Sequence, residues 1–248
     1  MIPKDQALDV WGEFACFTRP ELKVERLSYP VPTPSAVRGI YDAIYCKPKE
    51  FRWQVTGVEI LAPPAFVALR RNEVKEKVSV GNVRKWMRGE SPPEPILADG
   101  TKEELGTDMK GRTQRQTMAL RDVRYRLHAE IRPWPGFEDR MAGFEEQFRR
   151  RAAHGKCIYQ PYFGCREFPA FFELVEVGGP PAERVPLDLD VGLMLYDVFD
   201  LANPGQAITG VEGVSISLFR ATVRAGVMSV PPYESAEVVK VGNGGSDA

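Results

Sequence analysis

Only two histidines occur, His128 and His154, and the four cysteines (Cys16, Cys46, Cys157, Cys165) are scattered with no CxxC pair. That scarcity argues against a zinc site or a disulfide frame and limits imidazole catalysis. The thiols are expected to be free, in a reducing cytoplasm. There is no Walker loop, no GxGxxG and no HExxH, so neither a cofactor nor a metal is expected. Neither a run of about 18 apolar residues nor a secretory signal is present, which points to a cytoplasmic chain without a membrane partner. An excess of one charge is missing too. The 33 Lys+Arg and 34 Asp+Glu leave −1 over 248 residues, so no bulk field draws the chain to nucleic acid. Any site for a polyanion must be local, with acids segregated elsewhere.

What is present is patterned. "ALDVWGEFACF" (7–17) alternates as a first strand. Thr33 can N-cap a helix whose first residue, Pro34, has no N–H to leave unpaired, and Pro48 stops it after Tyr45. Val37, Ile40, Tyr41 and Ile44 form its buried stripe. Arg38, Asp42 and Tyr45 fall on the neighbouring stripe, expected to face solvent or a ligand. "FRWQVTGVEIL" (51–61) reads as a strand whose apolar face switches parity at Gly57, the mark of a bulge. Residues 62–110 lose the pattern to prolines, glycines and mixed charge and are expected to form a long insertion or arm. Order returns at 119–131, where the odd positions from Val123 to Ile131 are apolar and the even positions from Asp122 to Glu130 polar. A second helix follows over 138–154, burying Met141, Phe144, Phe148 and Ala152, then a strand over 166–177.

The order β-α-β, insertion, β-α-β predicts an α+β fold of the ferredoxin-like (RRM-like) βαββαβ kind. It would occupy residues 1–178. A linker then leads to a small β-rich domain over 187–235, and 236–248 is expected to be a disordered tail.

Cations cluster. From Lys110 to Arg132 there are seven Lys/Arg (Lys110, Arg112, Arg115, Arg121, Arg124, Arg126, Arg132) against Asp122 and Glu130. Arg124, Arg126 and His128 share one strand face, where like charges repel unless an anion sits there. Arg149, Arg150, Arg151 and Lys156 end the second helix, where they also complement its dipole. Arginine suits bidentate phosphate contact and stacking on bases. Tyr45, framed by Arg38 and Lys47, offers a ring and a hydroxyl to an anionic ligand. Those cations are expected to lower its pKa.

In "FACFTRPELKVERLSYPVPTPSAVRGIYDAIYCKP", and again in "RRNEV", "LRDVRY" and "FRRRAAHGKCIYQPYFGCREFPAFFEL", the sequence resembles a known family over residues 8–177. This is the CRISPR-associated subunit of type I-C systems (family five, Dvulg subtype), which processes repeat RNA and holds the 5′ handle of crRNA in the Cascade surveillance complex. The resemblance implies a ferredoxin-like domain with a small C-terminal β domain and metal-independent cleavage of precursor RNA at the base of the repeat hairpin. It also implies repeat RNA, the backbone and large Cascade subunits and, through the complex, target DNA as partners.

The family places a tyrosine or histidine where Tyr45 stands. A Lys-His doublet that it carries before "FRRR" falls here on Gly143 and Phe144, and a frequent tryptophan falls on Cys46. Catalytic candidates are therefore Tyr45 with His154 and Lys156, His128 being the alternative source of an imidazole. RNA-binding candidates are Arg38, Lys47, Arg70, Arg71, Asn72, Arg115, Arg121, Arg124, Arg126, His128, Arg149, Arg150 and Arg166. A subunit that only grips RNA, and a metabolic enzyme or small-ligand sensor, are the competing readings.

Overall fold

The computed structural model describes residues 3–22, 24–100, 102–106, 110–176, 178–179, 181–204 and 215–240. In chain order the elements are β1 (Gln6–Ala15), β2 (Arg26–Leu27), α1 (Pro34–Ile44), β3 (Phe51–Ile60), β4 (Ala65–Val74), α2 (Val80–Met87) and α3 (Lys102–Leu105). There follow β5 (Arg112–Pro133), α4 (Met141–Ala153), β6 (Phe171–Leu174), β7 (Leu189–Asp197), β8 (Ser217–Arg224), β9 (Val227–Ser229) and β10 (Val239–Lys240). The fold is mixed α and β, built on a large sheet in the order β10-β8-β9-β3-β5-β1-β6, antiparallel at every step of that path.

The pleat decides which side is core. Along β5 the side chains of Val123, Tyr125, Leu127, Ala129 and Ile131 are buried. Arg124, Arg126, His128, Glu130 and Arg132 take the other face. In β3 the register jumps from Val55↔Ala129 to Gly57↔His128, so Thr56 is the extra residue of a bulge. The jump lets Phe51, Trp53 and Val55 share the buried face with Val58 and Ile60, as the parity switch in the sequence requires.

Two helices cover that face. Thr33 Oγ1 accepts Ala36 N–H at 3.2 Å and starts α1, and Val37, Ile40, Tyr41 and Ile44 are all buried. α4 buries Met141, Phe144, Phe148 and Ala152, and Gly155 follows it at φ +61°, a left-handed turn that glycine makes without strain. Between helices and sheet lies an aromatic cluster: Trp53 sits 4.7 Å from Phe148 and 4.8 Å from Tyr41 between centroids, and Phe51 lies 5.1 Å from Phe144. Each such pair adds about 0.5–1.5 kcal/mol beyond the area it buries.

The C-terminal strands do not stand apart. β9 pairs with β3 at Val58↔Met228, and residues 1–67 and 118–248 cluster as one compact unit. The strands expected at 187–235 thus extend the main sheet, because the exposed edge of β3 is satisfied by pairing. Of the tail expected over 236–248, Val239 and Lys240 form β10 and pair with β8, and residues 241–248 lie outside the described residues. The strand expected over 166–177 shortens to β6, with the loop before it held by Cys16 N–H to Phe163 O at 3.0 Å.

A second compact unit spans residues 68–117, offset from the expected 62–110. Its described residues contain secondary structure: β4 pairs with β5, Lys75 N–H bonds Gly111 O at 2.8 Å, and α2 is N-capped by Ser79. α2 buries none of its residues.

Candidate nucleic-acid interface

Tyr45 closes α1. Its N–H reaches Tyr41 O at 2.9 Å, its carbonyl accepts Trp53 Nε1–H at 2.9 Å, and φ −151°, ψ 117° take the chain out of the helix. The ring packs on Phe51 at 5.4 Å between centroids, leaving 8 % of the residue exposed. That remainder lines a cleft of about 470 Å³ shared with Lys47, Asp139, Arg140, Gly143, Phe144 and Gln147. Arg140, Gly143, Phe144 and Gln147 stand at i, i+3, i+4 and i+7, one helical stripe opposite the tyrosine. Glu50 joins the cations: its carboxylate takes Lys47 Nζ at 3.0 Å and Arg140 Nη1 at 2.7 Å. The Phe144 ring lies beside both, 5.5 Å from Lys47 Nζ and 5.2 Å from Arg140 Cζ.

Burial pushes the Tyr45 hydroxyl above its ordinary range. Lys47, Arg140 and Arg151 pull it down and Glu50 pushes it up, and burial wins. The expected lowering is reversed. At neutral pH this phenol is a proton donor. Arg140 is not among the expected site residues, although the stripe it shares with Gly143 and Phe144 lies within the helix expected over 138–154.

Arg38 does not frame Tyr45. It is buried, with Nε and Nη2 on Asp197 at 2.7 and 3.1 Å and Nη1 on Asp42 at 2.5 Å. On the stripe expected to meet solvent or a ligand, Arg38 turns to Asp197 of β7 and becomes part of an internal ion pair. Asp197 Oδ1 also accepts the N–H groups of Val198 and Phe199 at 2.8 and 3.1 Å, so the pair fixes the turn after β7.

The strand face carries its own anions. Arg126 holds Asp9 through two bonds, at 2.7 and 3.0 Å, and His128 lies between Asp5 (2.6 Å) and Glu59 (2.8 Å). Burial disfavours the imidazolium, but the hydrogen bonds and charges of Asp5 and Glu59 outweigh it and raise the His128 pKa. The repulsion that suggested an external anion is relieved by carboxylates from neighbouring strands and the N-terminal segment, which pair Arg126 and His128 within the fold. Arg121 and Arg124 are exposed and have no ion-pair partner among the described residues.

The remaining candidates are dispersed. His154 C-caps α4 with Nδ1 2.7 Å from Arg150 O, and neither it nor Lys156 lines the Tyr45 cleft. Arg149 pairs with Glu176 at 3.2 Å, and Arg150 bonds the Gln147 side chain at 2.6 Å. Arg166 is exposed on the loop before β6. In the second unit Arg70 and Asn72 are exposed, while Arg71 and Arg115 both reach Glu73, at 3.5 and 3.2 Å.

The model of a family described as "CRISPR-associated protein (Cas_Cas5)" matches residues 7–231. The chain is 36% identical over 247 residues to a Thermus thermophilus protein named CRISPR pre-crRNA endoribonuclease Cas5d, covering 95% of each chain. It is 37% identical over 240 residues to the protein of that name from Mannheimia succiniciproducens, covering 93% of this chain and 96% of that one. Among solved structures, a CRISPR-associated protein superposes with a TM-score of 0.59 at 20% identity, covering 95% of this chain and 96% of that one. SMU1763c from Streptococcus mutans gives 0.58 at 18%, covering 95% and 97%. These two likenesses concern the fold. On the family model and the two relatives together, the chain belongs to the Cas5 family of CRISPR-associated proteins.

Proposed function

We propose that this protein cleaves precursor CRISPR RNA at the base of the repeat hairpin, without a metal, and keeps the 5′ handle of the product as a subunit of a Cascade complex. The observation that carries this is the Tyr45 cleft. A buried phenol and two cations converge there, in a chain similar over 95% of its length to proteins named for that reaction. The 2′-hydroxyl attacks the adjacent phosphorus, the P–O5′ bond breaks, and the products are a 2′,3′-cyclic phosphate and a 5′-hydroxyl. Tyr45, held protonated, donates its proton to the leaving 5′ oxygen. Lys47 and Arg140 offset the charge of the phosphorane once phosphate displaces Glu50 from them. The 2′-hydroxyl proton passes to solvent, since no histidine lines the cleft among the described residues.

The order β6-β1-β5-β3, with α1 following β1 and α4 following β5, supports the ferredoxin-like arrangement. Arg121, Arg124 and Arg166 supply phosphate contacts, and Arg70 and Asn72 of the second unit reach the RNA or a backbone subunit. A cytoplasmic site fits that work; no described helix is long and apolar enough to cross a membrane.

One observation favours a second reading. Gly143 and Phe144 bring no proton carrier to the cleft, which suits a subunit that grips the handle while another nuclease cuts. Incubating the protein with end-labelled repeat RNA in EDTA separates the two: cleavage supports the first, and tight binding without product supports the second.

A further inference from the structure

On the other side of the segment that carries Tyr45 lies a larger groove, of about 1040 Å³. Tyr45 and Lys47 line the cleft and Cys46 lines the groove, so the chain over 45–47 runs between the two. The buried Arg38–Asp42 pair lies at the bottom of the groove, and its walls carry Tyr159, Tyr162 and Phe199.

Three features mark these walls. Among the described residues neither Tyr159 nor Tyr162 is paired with another ring, whereas the core aromatics are clustered. Neither hydroxyl has a hydrogen-bond partner among the described residues, and Tyr159 is 47 % exposed. Arg166, the exposed cation of the groove, has no carboxylate partner among the described residues. The core stacks its aromatics and the protein pairs many of its arginines, so an open ring wall beside an unpaired guanidinium has the form of a ligand site.

We infer that this groove holds an unpaired nucleobase of the RNA next to the nucleotide in the Tyr45 cleft, its face against Tyr159 and Tyr162 and its phosphate on Arg166. The inference rests on the RNA-cleaving reading above. A base offers a π-face to any aromatic wall, which is how single strands are held at low cost in sequence preference. The ion pair at the bottom is internally neutralised apart from the second carboxylate, Asp197, so it repels a neutral base far less than a phosphate. The free guanidinium supplies the one cation that a linked phosphate needs. Burial, and then the nearby Asp42 carboxylate, push the Tyr159 phenol up, so it remains available as a hydrogen-bond donor to the base edge.

The test uses repeat RNA carrying 2-aminopurine at each unpaired position in turn, bound to the full-length protein in EDTA. Stacking should quench emission at one or two positions beside the scissile phosphate. Tyr159→Ala and Tyr162→Ala should restore emission there and weaken RNA binding about tenfold each. Tyr159→Phe should keep the quench, and Arg166→Gln should weaken binding less and more so at low salt. The exposed Arg166 serves as the readout if either alanine variant fails to fold. RNA that binds and is cut while its quenching is unchanged by both alanine variants overturns the groove assignment and leaves the Tyr45 reading standing. Wild-type protein that binds no repeat RNA overturns both.

Discussion

Replacing Arg38 with methionine separates an internal ion pair from an RNA contact. Methionine keeps most of the stem's volume and removes the three donor nitrogens that hold Asp197 and Asp42. Asp197 is 1 % exposed, so its charge is left without a counterion in a low-dielectric site. Breaking one partner out of a buried pair costs about 3–5 kcal/mol. With a urea dependence of about 3 kcal/mol per molar, the unfolding midpoint should fall by roughly 1–1.7 M. Asp197→Asn keeps an acceptor for the N–H groups of Val198 and Phe199 and leaves Arg38 with Asp42, so it should cost less, about 1–3 kcal/mol. Tryptophan fluorescence in urea at neutral pH measures both. An Arg38→Met protein with an unchanged midpoint and a large loss of RNA affinity would refute the reasoning and restore Arg38 to the RNA surface.

Phe148→Ala should cost about 3–5 kcal/mol by urea unfolding, because the ring is fully buried between Tyr41 and Trp53. His128 has a raised pKa, so its contribution to stability is complete below its unfolded value near 6.5 and is lost as pH rises through the folded value. Unfolding midpoints should therefore fall on going from pH 6 to pH 8 in the wild type, and His128→Gln should flatten that fall. Glu50→Gln frees Lys47 and Arg140 from their shared carboxylate and should tighten RNA binding several-fold at low salt, measured by filter binding. Arg124→Gln should reduce the slope of log K against log salt by about 0.7, whereas Arg126→Gln, removing a cation already held by Asp9, should leave it nearly unchanged.

Local rules carried well from sequence to structure. The Thr33 cap, the stripe of Val37, Ile40, Tyr41 and Ile44, the bulge beside Gly57 and the alternation of β5 all follow from short-range sterics and periodicity, and all are present. Long-range pairing did not carry. Asp197 lies 159 residues from Arg38, and Asp9 lies 117 from Arg126, so nothing in either neighbourhood announces that those cations are satisfied. The C-terminal strands read as a separate domain for the same reason: the linker before them is rich in glycine and proline, and their partner is the edge of β3, far away in sequence. Of the candidate site, Tyr45 and Lys47 meet in one cleft. His154 lies elsewhere because it caps the far end of the helix whose first turns line that cleft. Arg140 escaped notice because a helix-start arginine has many ordinary uses, and only the approach of Tyr45 gives it a place in the site.

The central claim is that the protonated Tyr45 hydroxyl takes part in metal-free cleavage, and single-turnover cleavage of repeat RNA in EDTA by Tyr45→Phe tests it most directly. The variant keeps the ring on Phe51, so RNA affinity should stay within about threefold, under 0.7 kcal/mol. The rate should fall by about 10²-fold or more, the scale of a lost general acid. Because the phenol is held above its ordinary range, the wild-type rate should show no loss from tyrosine ionisation below about pH 10. Cleavage by Tyr45→Phe at the wild-type rate would contradict the account.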